Sequence, residues 1–158
     1  MYEFIDRTVT DLDNGSRLLI WSMRSWVASM GERKCPASIV AEPFRKWNML
    51  AGLQPFLRTM AILNHRGLEN FQFCSPCCNH ISEHEAILVS LVCCMGEGQA
   101  ESARQTLELL VEEDAVGELF VTLSALGRNM AMAGIHPERP MENPAFPAPR
   151  PHRPDHRR

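Results

Sequence analysis

Long uncharged apolar runs are missing from this sequence. The longest apolar run, residues 86–95, is interrupted by Ser90 and falls short of the roughly 18 apolar residues that a membrane-spanning helix requires. The first residues, MYEFIDRTVTDLD, include acidic side chains and contain no apolar core of signal-peptide length. We therefore expect no membrane association and a cytoplasmic location, where the six cysteines would be reduced thiols, metal ligands or core residues rather than disulfides.

An excess of positive charge is also missing. The chain has a formal net charge of −3, and residues 1–134 carry 11 Lys and Arg against 16 Asp and Glu. Affinity for a phosphate backbone comes mainly from Lys and Arg, so this composition disfavours nucleic acid as a partner of the folded part.

None of the common catalytic motifs occurs. The sequence contains no H-E-x-x-H, no G-x-S-x-G, no P-loop and no dinucleotide-binding glycine pattern. It also contains no repeat of fixed period, which argues against a solenoid. These absences favour a protein that is not an enzyme.

What the sequence does contain is helical periodicity. We predict an all-α fold, a compact bundle of about six helices over residues 14–135, preceded by a lead-in over residues 1–13. Asn14 or Ser16 is expected to cap the first helix, and Gly31 to end it. Its core stripe is predicted to comprise Leu19, Met23, Trp26, Val27 and Met30.

The fourth helix has the clearest start signal. Ser82 is followed three residues later by Glu85, the spacing of a capping box, so a helix is predicted to begin at Glu83. Residues 86–95 are apolar on nearly all sides, which is typical of the central helix of a bundle.

The end of the chain differs in composition from the body. Residues 135–158 include seven prolines and five arginines, with Ile135, Met141 and Phe146 as the large apolar side chains. We expect residues 136–158 to be a disordered, polyproline-like tail that forms no part of the core.

One segment could carry chemistry, the loop before the fourth helix. Cysteine and histidine are concentrated there within eleven residues, and their thiolates and imidazoles are ligands that zinc selects. The candidate metal ligands are Cys74, Cys77, Cys78, His80 and His84.

Three interpretations of this loop remain open. The first is a zinc or iron–sulfur site, although such a short loop strains the tetrahedral geometry of zinc. The second is structural, with the cysteines as small buried hydrophobes and the histidines facing solvent. The third is thiol–redox chemistry at the Cys74-x-x-Cys77 pair, which as an enzyme would require a cysteine with a lowered pKa.

Several features together resemble a group of small bacterial all-helical proteins with no assigned activity. They are the segment Cys74-Ser75-Pro76-Cys77-Cys78, the cap at residues 82–85, the apolar run at residues 87–92 and two terminal helices ending at Gly134. The resemblance covers residues 15–135 and implies a helical cytoplasmic domain without indicating a reaction.

The favoured function is a non-enzymatic interaction or regulatory module that binds another protein, and the alternative is a metal-binding or thiol–redox regulatory protein.

Overall fold

The computed structural model of the protein describes residues 2–5 and 7–140. Over these residues the fold is all-helical and contains no β-strand, as predicted. The helices are α1 (Asn14–Gly31), α2 (Pro36–Lys46), α3 (Leu50–Arg66), α4 (Glu83–Gly96), α5 (Ala100–Glu108) and α6 (Glu113–Met132). None of the helices in this described part is long and apolar enough to cross a membrane.

The cap of helix α1 is the residue before Asn14, and not Asn14 or Ser16 as expected. Asp13 is the N-cap, and its Oδ1 accepts a hydrogen bond of 2.9 Å from Ser16 N. The core side of α1 also differs from the predicted stripe, since Val27 and Met30 are exposed while Trp26 is buried. Ser29, between them, is buried, so the two exposed residues lie on a side of α1 that the core leaves uncovered.

Helix α4 occupies the centre of the bundle. Residues 85–94 are all buried, and α4 packs against α1, α5 and α6. The capping box at its start is formed in both directions, between the Ser82 side chain and Glu85 N and between the Glu85 side chain and Ser82 N. The predicted central helix and its starting residue are therefore confirmed.

The remaining helices complete one hydrophobic core. Helix α6 packs most extensively on α3, and α2 joins α1 to α3. Pro43 lies inside α2 without splitting it, and Gly67 is the C-cap of α3. The segment between α3 and α4 is extended, with isolated bridges from Gly67 to Val111 and from His80 to Thr8.

The tail was predicted to begin at residue 136, which is too early in the sequence. The segment 135–140, which we call the C-terminal strap, packs on the helical body: Ile135 and Pro137 are buried, and Pro137 O accepts a hydrogen bond of 3.4 Å from Cys93 Sγ. Arg139 pairs with Glu97 at 2.9 Å and with Glu3 at 3.5 Å. Proline does not prevent packing where a segment is extended, and this is why composition misplaced the boundary. The disorder predicted for residues 141–158 lies outside the described residues.

Candidate functional site

The Cys/His-rich loop, residues 74–80, is built around an arginine that the sequence analysis did not single out. Arg24 lies in the middle of α1 with a side chain that is 2% exposed, and it forms a bidentate ion pair with the fully buried Glu85 of α4. The distances are 2.7 Å from Nε to Oε1 and 2.9 Å from Nη2 to Oε2. Two charges can remain in a core only when their hydrogen bonds are satisfied, so the surroundings of this pair decide its role.

The loop supplies the remaining acceptors for Arg24. The guanidinium donates from Nη1 to the carbonyls of Ser75, at 3.3 Å, and Cys78, and from Nη2 to the carbonyl of His80 at 2.5 Å. With the two bonds to Glu85, all five N–H donors of the guanidinium are used. The backbone of the loop therefore wraps around a cation supplied by α1.

Glu85 holds the same loop from the other side. Its Oε1 accepts a hydrogen bond of 3.1 Å from Cys74 N, and its Oε2 accepts one of 2.8 Å from Ser82 N. The Ser82 hydroxyl in turn donates to Gln72 O at 2.8 Å. One carboxylate thus caps α4, neutralises Arg24 and fixes the start of the loop.

This arrangement sets the protonation of the groups within it. The hydrogen bonding of the guanidinium to the Glu85 carboxylate is the main cause that raises the pKa of Arg24 above its ordinary value, so the cation is permanent. Burial, followed by the negative charge of Glu85, raises the pKa of the Cys74 thiol. Cys74 therefore lacks the lowered pKa that a thiol enzyme would require.

The candidate metal ligands do not converge as a set. Cys74 and Cys78 are half-buried, whereas Cys77 and His80 are exposed. The part of the chain that the structure describes contains no group of three or more His, Cys, Asp or Glu side chains able to hold a metal ion. Carbonyl oxygens converge at the centre of the loop instead of thiolates, because Arg24 occupies that position.

His84 is bound at both ring nitrogens. Its Nδ1 accepts a hydrogen bond of 3.0 Å from Gln72 N, and its Nε2 lies 3.1 Å from Glu69 Oε1. The ring also packs on Phe71 with a centroid distance of 5.0 Å. In this conformation His84 positions the chain before the loop rather than facing the cysteines.

The other cysteines lie away from the loop. Cys93 and Cys94 are buried in α4, and burial raises the pKa of Cys93 to about 12. Cys35 precedes α2 and is exposed. These thiols belong to the core and to a surface linker, outside the candidate site.

Grooves lined by both apolar and polar residues lie on the two sides of the loop. Along α1, a first groove is lined by Ile20 and Trp21 together with Pro76 and Cys77 of the loop. A second groove is lined by residues from α1, α3 and the segment before the loop, among them Val27, Met30, Phe71 and Phe73. Trp21 is 38%, Val27 39% and Met30 49% exposed. We call the surface of the second groove the α1 face: Val27, Met30, Phe71 and Phe73.

The sequence carried one signal for the buried pair, and it was missed. Arg24 follows Met23 on a helix whose neighbours are otherwise apolar or small, and a cation in such a position requires a buried partner. Its partner is 61 residues away in sequence, beyond any local pattern.

Comparison of the chain with protein-family models, with curated proteins and with solved structures finds no match.

Proposed function

We propose that this chain is a non-enzymatic interaction module in the cytoplasm and that it binds another protein through the α1 face. The observation that carries the proposal is the partial exposure of Val27 and Met30 on α1, in one groove with Phe71 and Phe73 of the segment before the loop. Large apolar side chains grouped on a surface are typical of interaction sites. Aromatic residues and methionine are also enriched in interfaces between proteins.

The rigidity of the loop supports this proposal. Arg24 and Glu85 hold the loop backbone through four hydrogen bonds and Ser82 through a fifth, so the chain that follows Phe73 is held in shape before a partner arrives. A surface that is already ordered loses less conformational entropy on association, which improves affinity.

Site-specific photo-crosslinking tests the proposal. A photoreactive amino acid is placed at Val27 or Met30 of the full chain in its native cells, with Val121 as the control. Val121 is 63% exposed on α6 and lies outside both grooves. We expect one discrete protein adduct from positions 27 and 30 and none from position 121. The same adducts from all three positions, or none from any, would refute binding through the α1 face.

The alternative function, metal binding by Cys74, Cys77, Cys78, His80 and His84, stays a prediction. It requires the loop to rearrange, because the described residues bring no three of their His, Cys, Asp or Glu side chains together around a possible metal ion. Elemental analysis of protein purified without an affinity tag and under conditions that protect thiols tests it directly. Zinc or iron near one per chain would support a metal site, and less than about 0.2 per chain would exclude it.

A further inference from the structure

The groove of the α1 face combines aromatic side chains with a carboxylate. Phe71 and Phe73 line it together with Trp26, and Glu69 is the charged residue among its lining side chains. Within the described part of the chain, the groove beside Trp21 is lined by no carboxylate, and a groove formed by residues of α5 and α6 is lined by no aromatic residue. The groove of the α1 face therefore offers both aromatic surfaces for stacking and a negative charge.

This groove also offers hydrogen-bond donors. The indole N–H of Trp26 and the side-chain amides of Asn64 and Asn70 line it, and they form no hydrogen bond with another described residue. Such donors suit a ligand whose backbone carbonyls are unpaired. A polyproline II segment is a ligand of this kind, because it has no internal hydrogen bonds, and such segments bind in grooves lined by aromatic side chains.

The last residues of the chain have the matching chemistry. Residues 141–158, which we call the terminal segment, contain five prolines, four arginines and two acidic residues, with Met141 and Phe146 as the large apolar side chains. Residues 1–140 carry 12 Lys and Arg against 17 Asp and Glu. The terminal segment and the rest of the chain therefore have opposite net charges, which favours their contact.

The terminal segment is also long enough to reach the groove. The strap that precedes it lies beside the start of α1, since Glu138 N donates a hydrogen bond of 3.3 Å to Asp13 Oδ2. Val27 follows Gly15 by 12 residues, which is about 18 Å along the helix axis. The 18 residues of the terminal segment span about 56 Å as polyproline II, so the segment can reach the groove even along a curved path.

We propose that the terminal segment binds in the groove of the α1 face of its own chain. Its prolines stack on Phe71 and Phe73, a backbone carbonyl accepts from the indole N–H of Trp26, and an arginine pairs with Glu69. The inference rests on the proposed role of the α1 face as a binding surface, and it adds that the terminal segment competes there with the partner protein. Exposed ion pairs are weak, so bound and free segments coexist and removal of the segment changes the stability of the fold little.

Photo-crosslinking within the purified full chain tests the inference. A photoreactive phenylalanine analogue replaces Phe146, and the linked peptides are identified by mass spectrometry. We expect adducts within one chain at residues 26–30 and 69–73, with a yield that does not depend on protein concentration. No other protein is present in this experiment. If these adducts form while Val27 yields no partner adduct in cells, the proposed function fails and the present inference stands.

Two charge reversals test the role of the groove. Glu69→Lys should lower the yield of these adducts about threefold, because it replaces an attractive charge by a repulsive one. Glu101→Lys makes the same change at an exposed position of α5 outside the groove, and it should leave the yield unchanged. Equal loss of yield in both variants would show that net charge, and not the groove, brings the segment to the body.

The map of the wild-type contacts decides the question even if a variant fails to fold. Adducts spread evenly over the body, or no adduct at all, would overturn the inference. Adducts between chains that increase with protein concentration would also overturn it, since the occupant of the groove would then be a second copy.

Discussion

At the scale of single residues, Arg24 and Glu85 determine the shape of the candidate site. Both side chains are buried, and each satisfies the other as well as polar backbone groups of the loop. Such a pair contributes little net stability compared with apolar residues, but the loss of one partner is costly because it leaves a buried charge uncompensated.

Replacement of Arg24 by leucine should therefore destabilise the protein by about 3–5 kcal/mol. The substitution leaves the Glu85 carboxylate buried and removes the donor to three loop carbonyls. Urea unfolding of both variants measures the cost, with Arg58→Leu as the control. Arg58 forms an exposed ion pair with Glu118, so its loss should cost at most about 1 kcal/mol. Similar costs for the two variants would mean that Arg24 is not essential to the fold.

At the scale of elements, the C-terminal strap and the start of α1 depend on each other. Gly15 lies where α1 begins, and a Cβ atom at this position would overlap Ile135 O of the strap. Gly96 at the end of α4 would similarly overlap the ring of His136. The strap passes where only a residue without a Cβ atom leaves enough space. The periodicity of apolar residues in a helix does not reveal this need for glycine.

The same substitution should therefore have opposite effects at two helical glycines. Gly15→Ala is expected to destabilise the protein by about 1–3 kcal/mol, because either the strap or the helix start must move. Gly117→Ala, in α6 with open space around the added Cβ, should stabilise it by about 0.5–1 kcal/mol through lower chain entropy of the unfolded state. Thermal unfolding of both variants gives the comparison, and stabilisation by Gly15→Ala would show that the strap does not pack as described.

At the scale of the whole molecule, the folded body extends to Pro140 rather than to Ile135. Ile135 and Pro137 of the strap are buried, and Arg139 forms ion pairs with Glu97 and with Glu3. The strap therefore connects the end of the folded body to the end of α4 and to the first residues of the chain.

Two truncations separate the strap from the residues that follow it. A chain ending at Pro140 should unfold within about 0.5 kcal/mol of the full chain, since the proline-rich composition of residues 141–158 predicts no part in the core. A chain ending at Gly134 loses the buried Ile135 and should be at least about 2 kcal/mol less stable. Denaturant unfolding with the full chain as reference measures both. Equal stability of the two truncated chains would place the domain boundary at Gly134 instead of Pro140.

Local sequence patterns were sufficient to predict the helices. The capping box at Ser82 and Glu85 and the apolar residues of α4 follow from interactions within a few residues, and both are confirmed. The loop before α4 was also recognised as unusual, because its cysteines and histidines are so closely spaced.

The organisation of that loop was decided only by the tertiary structure. The Arg24–Glu85 pair joins residues 61 positions apart, so no local spacing predicts it, and it directs carbonyls rather than thiols toward the centre of the loop. The exposure of Val27 and Met30 and the packing of the strap likewise depend on which surfaces meet. Periodicity determines which residues share a face of a helix, but the arrangement of the helices determines which part of that face is covered.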